Sequence, residues 1–315
     1  MGRAPENIRI GVVGLGYFGS HHARHYAGNA LADLVAVVDS DESRAFSTGI
    51  TYGAEGMADY RGLIGKVDAV SIAAPTSDHH AIAADLIDAG VHVFVEKPIA
   101  STVADAADLV ARADKAGVVL QVGHIERFSP AFQALAGQVR ALKNIACVRH
   151  APWKGRAADV DVVLDLMIHD IDLTLALAKA PVIAVEAAGS LVVTGEYDVV
   201  GARLTFDNGL TASLSASRVA AEGERSLTVT ETGRRLRADL ATQTLTVTPD
   251  GADPDTHEFG PADNLAAEIA GFLESVSTGA RPLVDGRAGL EALKVADLIR
   301  AAIAAEQTIT GVMDG

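Results

Sequence analysis

The stretch from Ile8 to Asp39 constrains the fold of this chain more than any other. An apolar run, Ile8 to Val13, passes through Gly14-Leu15-Gly16-Tyr17-Phe18-Gly19 into a helix-compatible segment, Ser20 to Ala27, and a second apolar run ends in Asp39. Strand, glycine turn, helix and strand in that order predict a parallel βαβ unit. Each glycine meets a separate need: Gly14 permits the tight turn, Gly16 lets backbone approach a pyrophosphate, and Gly19 lets helix and strand pack closely. Beyond them, the helix N-terminus attracts phosphate through its unbonded N–H groups and positive dipole end. Asp39 stands twenty positions past Gly19, where a carboxylate accepts the two ribose hydroxyls of an adenosine and repels a 2'-phosphate. A glycine triplet alone marks many ordinary turns. With its strand, helix and distal acid it predicts dinucleotide binding, NAD ahead of NADP, although nearby Arg44 could meet a 2'-phosphate.

The same alternation continues along the first third of the chain. Apolar runs at Val67 to Ala74, Val91 to Val95 and Val118 to Val122 are separated by helical segments, and unbroken apolar strands suit a parallel sheet buried on both faces. These features predict a doubly wound Rossmann domain over residues 1–122, with strand ends delivering Pro75-Thr76 and Glu96-Lys97-Pro98 to the ligand edge. The cofactor-facing set is therefore Gly14, Gly16, Tyr17, Phe18, Gly19, Asp39, Pro75, Thr76, His79, Glu96 and Lys97.

Near Gly123 the pattern changes. Helical segments at Pro130 to Lys143 and Val162 to Lys179 flank a strand at Ala146 to His150. Alternating strands follow over 183–188, 199–206, 210–218, 225–231, 234–239 and 244–248, with Asp207-Asn208-Gly209 and Thr232-Gly233 as hairpin turns. Residues 123–315 are thus expected to form an α+β domain with an open, largely antiparallel sheet, one face under helices and the other awaiting a partner subunit. Two final helices are expected over 262–277 and 286–305, the second returning to the first domain.

A net charge of −15, from 26 basic and 41 acidic residues, argues against non-specific nucleic-acid binding and attraction to an anionic membrane. An anionic ligand would need local cations, for which Arg127, Lys154, Arg156 and Arg218 are the candidates. The single Cys147 allows no intramolecular disulfide, and no apolar stretch reaches the length of a membrane span. A reducing, cytoplasmic setting is expected.

Two constellations carry the chemistry. Lys97 follows a buried strand and precedes a proline, so an ammonium at the cofactor edge can hold or deprotonate a substrate hydroxyl; the bland alternative is a strand-end lysine reaching solvent. In Asp165-Leu166-Met167-Ile168-His169-Asp170-Ile171-Asp172, a regular helix puts Asp165 and His169 four apart on one stripe, with Asp172 three further along. A carboxylate beside an imidazole orients it and raises its basicity; a structural polar network is the alternative. Hydride transfer to a nicotinamide needs no metal, and none is expected. His21 and His25 read as surface or packing residues.

Taken together, Gly14 to Gly19, Glu96-Lys97-Pro98 and Asp165 to Asp172 resemble the Gfo/Idh/MocA oxidoreductase family over nearly the whole chain. The resemblance implies a Rossmann domain with an open-sheet partner domain, Lys97, Asp165 and His169 as the catalytic trio, and a homodimer or homotetramer built through the open sheet. Gly123-His124-Ile125-Glu126-Arg127-Phe128-Ser129-Pro130 and the Asp165 to Asp172 run further resemble a branch that oxidises the C3 hydroxyl of UDP-N-acetylglucosamine ahead of an aminotransferase. Ser129 stands where that branch carries Asn. The expected substrate contacts are Arg127, Arg156 and Asp172. Two other readings stay open: a dehydrogenase of a free polyol or monosaccharide, and a non-catalytic NAD-sensing regulator.

Overall fold

A computed structural model describes residues 7–313. Two compact units emerge, one running to His124 and joined by Asp263–Leu290, the other comprising Ile125–Ala262 and the chain from Glu291 onward.

In the first unit, β1 (Ile8–Val13), β2 (Ala32–Val38), β3 (Glu55–Met57), β4 (Ala69–Ile72), β5 (His92–Glu96) and β6 (Leu120–Gly123) form a wholly parallel sheet in the order β3-β2-β1-β4-β5-β6. The order reverses beside β1, and a ligand crevice opens at the carboxyl ends where it does so. The central strands are apolar because both their faces are covered: Val12, Ala69, Val70, Ile72, Val93, Phe94 and Val95 are fully buried. The crossovers are α1 (Tyr17–Ala27), α2 (Glu42–Tyr52), α3 (Thr76–Asp88) and α4 (Val103–Ala116). Local chemistry sets their ends: for α4, Thr102 accepts the Asp105 N–H at the start and left-handed Gly117 closes the last turn.

The second unit holds α5 (Pro130–Gln138), β7 (Leu142–His150), α6 (Ile168–Ala178), β8 (Val182–Ser190), β9 (Val199–Phe206), β10 (Thr211–Ser217), β11 (Glu224–Glu231), β12 (Arg234–Asp239), β13 (Thr244–Pro249) and β14 (Asp255–Glu258). The sheet order is β14-β13-β12-β11-β7-β10-β9-β8, with β7 and β10 parallel and the other neighbours antiparallel. Inward-facing Ile145, Leu204, Leu214, Val229 and Leu236 pack with Phe132, Leu135, Met167 and Ile171 in one core. Alternate residues such as Arg203, Ser213 and Thr230 are exposed on the other face.

Four features depart from the sequence reading. The helix expected to run to Lys143 stops at Gln138, because the buried Glu231 carboxylate accepts the N–H groups of Arg140 and Ala141 and draws the chain into β7. Strand β14 occupies a stretch without apolar periodicity and is exposed along its whole length. The segment that rests on the first unit is α7 (Asn264–Thr278), whose Phe272 packs edge-on against Phe94, together with the first turn of α8 (Gly286–Met313). Beyond Leu290, α8 contributes Ala292, Val295, Ala296, Ile299 and Ile303 to the second unit's core.

Asp198, fully buried before β9, gathers the N–H groups of Val192, Val193 and Thr194 and the Thr194 hydroxyl. Burial alone would raise its carboxyl; the backbone donors outweigh burial and bring it from 3.8 to about 2. A depressed carboxyl stabilises the fold above its unfolded value, and that contribution vanishes as pH falls from about 4 through about 2. It amounts to roughly 2 kcal/mol. Asp198→Asn is therefore expected to lower urea-unfolding stability at neutral pH and to flatten its dependence on pH in that acid window. Among the described residues, no helix is long and apolar enough to cross a membrane.

Candidate active site

In the first unit the glycine turn has the geometry that its sequence requires. Gly14 has φ +83°, and a Cβ there would lie 2.6 Å from the Ala74 backbone nitrogen; one on Gly19 would lie 1.7 Å from the Gly14 carbonyl oxygen. Around Gly16 nothing lies within 4 Å of a Cβ position, so this glycine borders open space. Gly16 also caps α1 without any side-chain hydrogen bond, and no acidic residue occupies the first turn. The N–H groups of Tyr17 and Phe18, both exposed, thus stand at an uncapped helix start that suits a pyrophosphate.

Asp39 ends β2 as expected. Its Oδ2 accepts the Leu15 N–H (2.7 Å), its Oδ1 accepts the Asp41 N–H (2.9 Å), and Arg44 donates to both oxygens. Burial pushes this carboxyl up, but the two backbone donors and Arg44 hold it below the usual range. A cavity of about 560 Å³ lined by Gly14, Gly16, Asp39, Ser40, Arg44, Ala74 and Pro75 adjoins it. These residues fit an adenosine ribose and a pyrophosphate. Removing the carboxylate with Asp39→Ala frees Arg44 for a 2'-phosphate, so the NAD-over-NADP affinity ratio is expected to fall by about 10- to 100-fold, the worth of one or two charged hydrogen bonds. Equilibrium binding of the two dinucleotides checks this.

Pro75 caps α3, and half-buried Thr76 begins it. His79 takes a different place from the cofactor contact expected of it. The ring is buried, with Nδ1 2.9 Å from the Pro98 carbonyl and Nε2 2.9 Å from the Ala74 carbonyl. Burial lowers its proton affinity despite those carbonyls. Both nitrogens face backbone carbonyls and the protonated one donates, so His79 sits wedged between the turn after β4 and the turn after β5. That second turn carries half-buried Lys97, and Glu96 Oε2 accepts the Lys97 N–H at 3.3 Å. Because β1, β4 and β5 are adjacent and parallel, Gly14, Pro75 and Lys97 share the carboxyl edge of the sheet.

In the second unit, Asp165 and His169 lie where a π-helical turn, Val163–Met167, runs into α6. This replaces the regular helix of the sequence reading; such one-residue insertions recur at functional sites because they re-aim side chains. The turn is capped by buried Asp161, whose Oδ1 accepts the Val163 and Leu164 N–H groups and whose Oδ2 is held by Arg300. The acids downstream are consumed by arginines. Asp170 is gripped by Arg149 at 2.8 to 3.1 Å, and Arg149 also reaches Glu126 at 2.8 Å. Asp172 forms a two-pronged pair with Arg127, at 2.6 and 3.0 Å. Arg127 and Asp172, both expected as substrate contacts, bind each other. Of the motif's polar residues, Asp165 and His169 alone are half-buried; Asp170 and Asp172 are fully enclosed.

Arg156 and Lys154 are exposed on the loop between β7 and the π-helical turn. Arg218, the fourth cation considered, is buried; it donates to the Ala157 and Val160 carbonyls and so braces that loop. His22, Arg149 and Asp161 escaped the sequence reading. Arg149 left a trace there: it falls on the inward register of β7 after Ile145 and Cys147, a position that demands a buried anion.

Residues 8–124 match the family model described as "Oxidoreductase family, NAD-binding Rossmann fold", GFO/IDH/MocA, and residues 131–237 match "GFO/IDH/MocA C-terminal domain". The chain is similar to UDP-N-acetylglucosamine 3-dehydrogenase from Acidithiobacillus ferrooxidans, with 36% identity covering 95% of this chain and 98% of the relative. The solved structure of that enzyme superposes with a TM-score of 0.91 over 95% of this chain and 99% of the other. Inositol 2-dehydrogenase from Rhizobium meliloti is 28% identical, covering 96% and 99%.

Proposed function

The chain belongs to the Gfo/Idh/MocA family of NAD-binding oxidoreductases, and from that premise we propose that it oxidises the C3 hydroxyl of UDP-N-acetylglucosamine to the 3-keto sugar. The observation that carries the reading is the burial pattern of the Asp165 to Asp172 run. Asp170 and Asp172 are enclosed and bound by Arg149 and Arg127, and Asp165 and His169 are half-buried where the π-helical turn meets α6.

Bound NAD would supply the hydride acceptor. Lys97 holds the reacting hydroxyl oxygen, and His169, oriented by Asp165, takes or relays its proton. Arg127 and Asp172 brace α6, and Arg156 with Lys154 supplies cations for the diphosphate. The keto product suits a downstream aminotransferase, which would condense an amine with that carbonyl. A second copy packing on the exposed sheet face would give a homodimer or homotetramer, and the single buried thiol of Cys147 suits a reducing cytoplasm.

The test is formation of reduced nicotinamide from NAD with UDP-N-acetylglucosamine and with myo-inositol side by side. Turnover is expected with the nucleotide sugar, and Arg156→Ala is expected to raise its KM by about tenfold, the value of one charged contact. Preference for inositol, with no response to Arg156→Ala, would replace this reading by a polyol dehydrogenase.

A further inference from the structure

Helix α1 carries a histidine that nothing above uses. His22 is fully buried, one turn beyond the glycine motif, with Nδ1 3.1 Å from the Ser71 hydroxyl and Nε2 3.0 Å from Glu96 Oε1. The Tyr26 hydroxyl lies 2.7 Å from the same Ser71 oxygen, and the Phe94 ring packs on the imidazole at 4.9 Å. Glu96 is half-buried. Its Oε2 accepts the Lys97 N–H, and it pairs across the sheet with Gly123, where a Cβ would stand 2.7 Å from Oε2. A polar chain therefore runs from Tyr26 through Ser71, His22 and Glu96 to the backbone of Lys97.

The donor pattern follows from what each group can do. An ionised carboxylate only accepts, so His22 gives its Nε2–H to Glu96 whether the ring is neutral or charged. With a neutral ring, Ser71 donates to Nδ1 and accepts from Tyr26, whose proton is retained because burial raises the phenol's affinity for it. Every hydrogen bond in the chain is then satisfied. A core position like that of His22, against Phe94, would be filled more cheaply by an apolar side chain unless the carboxylate beyond it has to be held.

We propose that His22 is a positioning residue for Lys97: by donating to Glu96 it keeps that carboxylate aimed at the Lys97 amide, and so fixes the orientation and proton affinity of the lysine. This rests on the role given to Lys97 above. The other ionisable groups whose charge reaches this chain are His25 on α1, His79 on α3 and Glu268 on α7, so each is a control position for any pH effect.

The sign is definite. Without the His22 donor, Glu96 binds a proton more readily, and the acid limb of the kcat profile moves to higher pH. His22→Phe is expected to shift that limb upward by about one pH unit and to lower kcat about tenfold at neutral pH, with KM for NAD changed less than about threefold. His22→Gln, whose amide can still donate to Glu96, restores most of the loss. In a Glu96→Gln background, His22→Phe adds nothing further, because both act through one link. A second readout needs no sugar: the Lys97 side-chain titration, followed by carbon NMR of labelled lysine in the NAD-bound protein and assigned with Lys97→Arg. It is expected to move by about half a unit or more in His22→Phe, because the released Glu96 carboxylate no longer stands at a fixed place beside the lysine.

Additive losses in the double variant, or an unmoved Lys97 titration beside reduced thermal stability, would make His22 a packing residue and overturn the proposal. Failure of the wild-type protein to oxidise UDP-N-acetylglucosamine would remove the substrate assignment, whereas the Lys97 titration would still decide the role of His22.

Discussion

Alanine in place of Lys97 or of His169 is expected to lower turnover of UDP-N-acetylglucosamine by about 10²- to 10⁴-fold, the usual worth of a positioned acid or base. NAD affinity should stay within about twofold, because the dinucleotide is held by the glycine turn and Asp39. If the two side chains handle one proton together, the double variant loses little more than the worse single variant, since groups that act as a unit are strongly non-additive. Asp165→Asn retains the bulk of the side chain but changes what the neighbouring carboxylate asks of the imidazole, so it should fall between wild type and His169→Ala. Steady-state rates with both substrates, alongside equilibrium NAD binding, provide the check. Full turnover in either single variant would dismiss the assignment.

The largest effect on stability is expected at Arg149. It is buried, bound to Asp170 and Glu126, and its removal would strand two enclosed carboxylates. Arg149→Met is expected to destabilise the second unit by about 3 to 5 kcal/mol, the cost of breaking a buried ion pair from one side. The pH dependence distinguishes this from a simple packing loss. Burial raises the Asp170 carboxyl and Arg149 opposes that rise; without the arginine, the folded state binds protons more tightly than the unfolded one. A carboxyl of that kind costs stability as pH rises through its unfolded value, so the deficit should shrink as pH falls toward 4. Neutralising the partners as well, in Arg149→Met with Asp170→Asn and Glu126→Gln, should recover part of the loss at neutral pH. Urea unfolding of the three proteins at several pH values measures all of this.

These two sites illustrate what the chain discloses before it folds. The Rossmann unit was readable because parallel strands buried on both faces are unbroken apolar runs, and because Gly14, Gly19 and Asp39 each answer a backbone or charge requirement that few other residues meet. The hairpins at Gly209 and Gly233 were readable for a similar reason, each glycine holding a positive φ. Long-range pairing was harder to see. Periodicity placed Asp172 beside Asp165 and His169 on one stripe, but it could not show Arg127 arriving from 45 residues upstream to neutralise it. Nor could it show the π-helical turn, which depends on Asp161 and on Arg300, 139 residues further along the chain. His79 looked like a cofactor contact because it begins a helix at the ligand edge. Its two carbonyl partners belong to separate turns, and nothing local announces them. Strand β14 has no buried face at all, so no apolar alternation could mark it.

The central claim is that a hydride leaves C3 of a nucleotide-linked amino sugar for NAD, and one labelling measurement addresses it directly. UDP-N-acetylglucosamine carrying deuterium at C3 would be incubated with the protein and NAD, and the nicotinamide product analysed by mass spectrometry. One deuterium in each reduced nicotinamide, matched by one 3-keto sugar, is the predicted result. Reduced nicotinamide without deuterium, or sugar recovered with its label intact after long incubation, would contradict it.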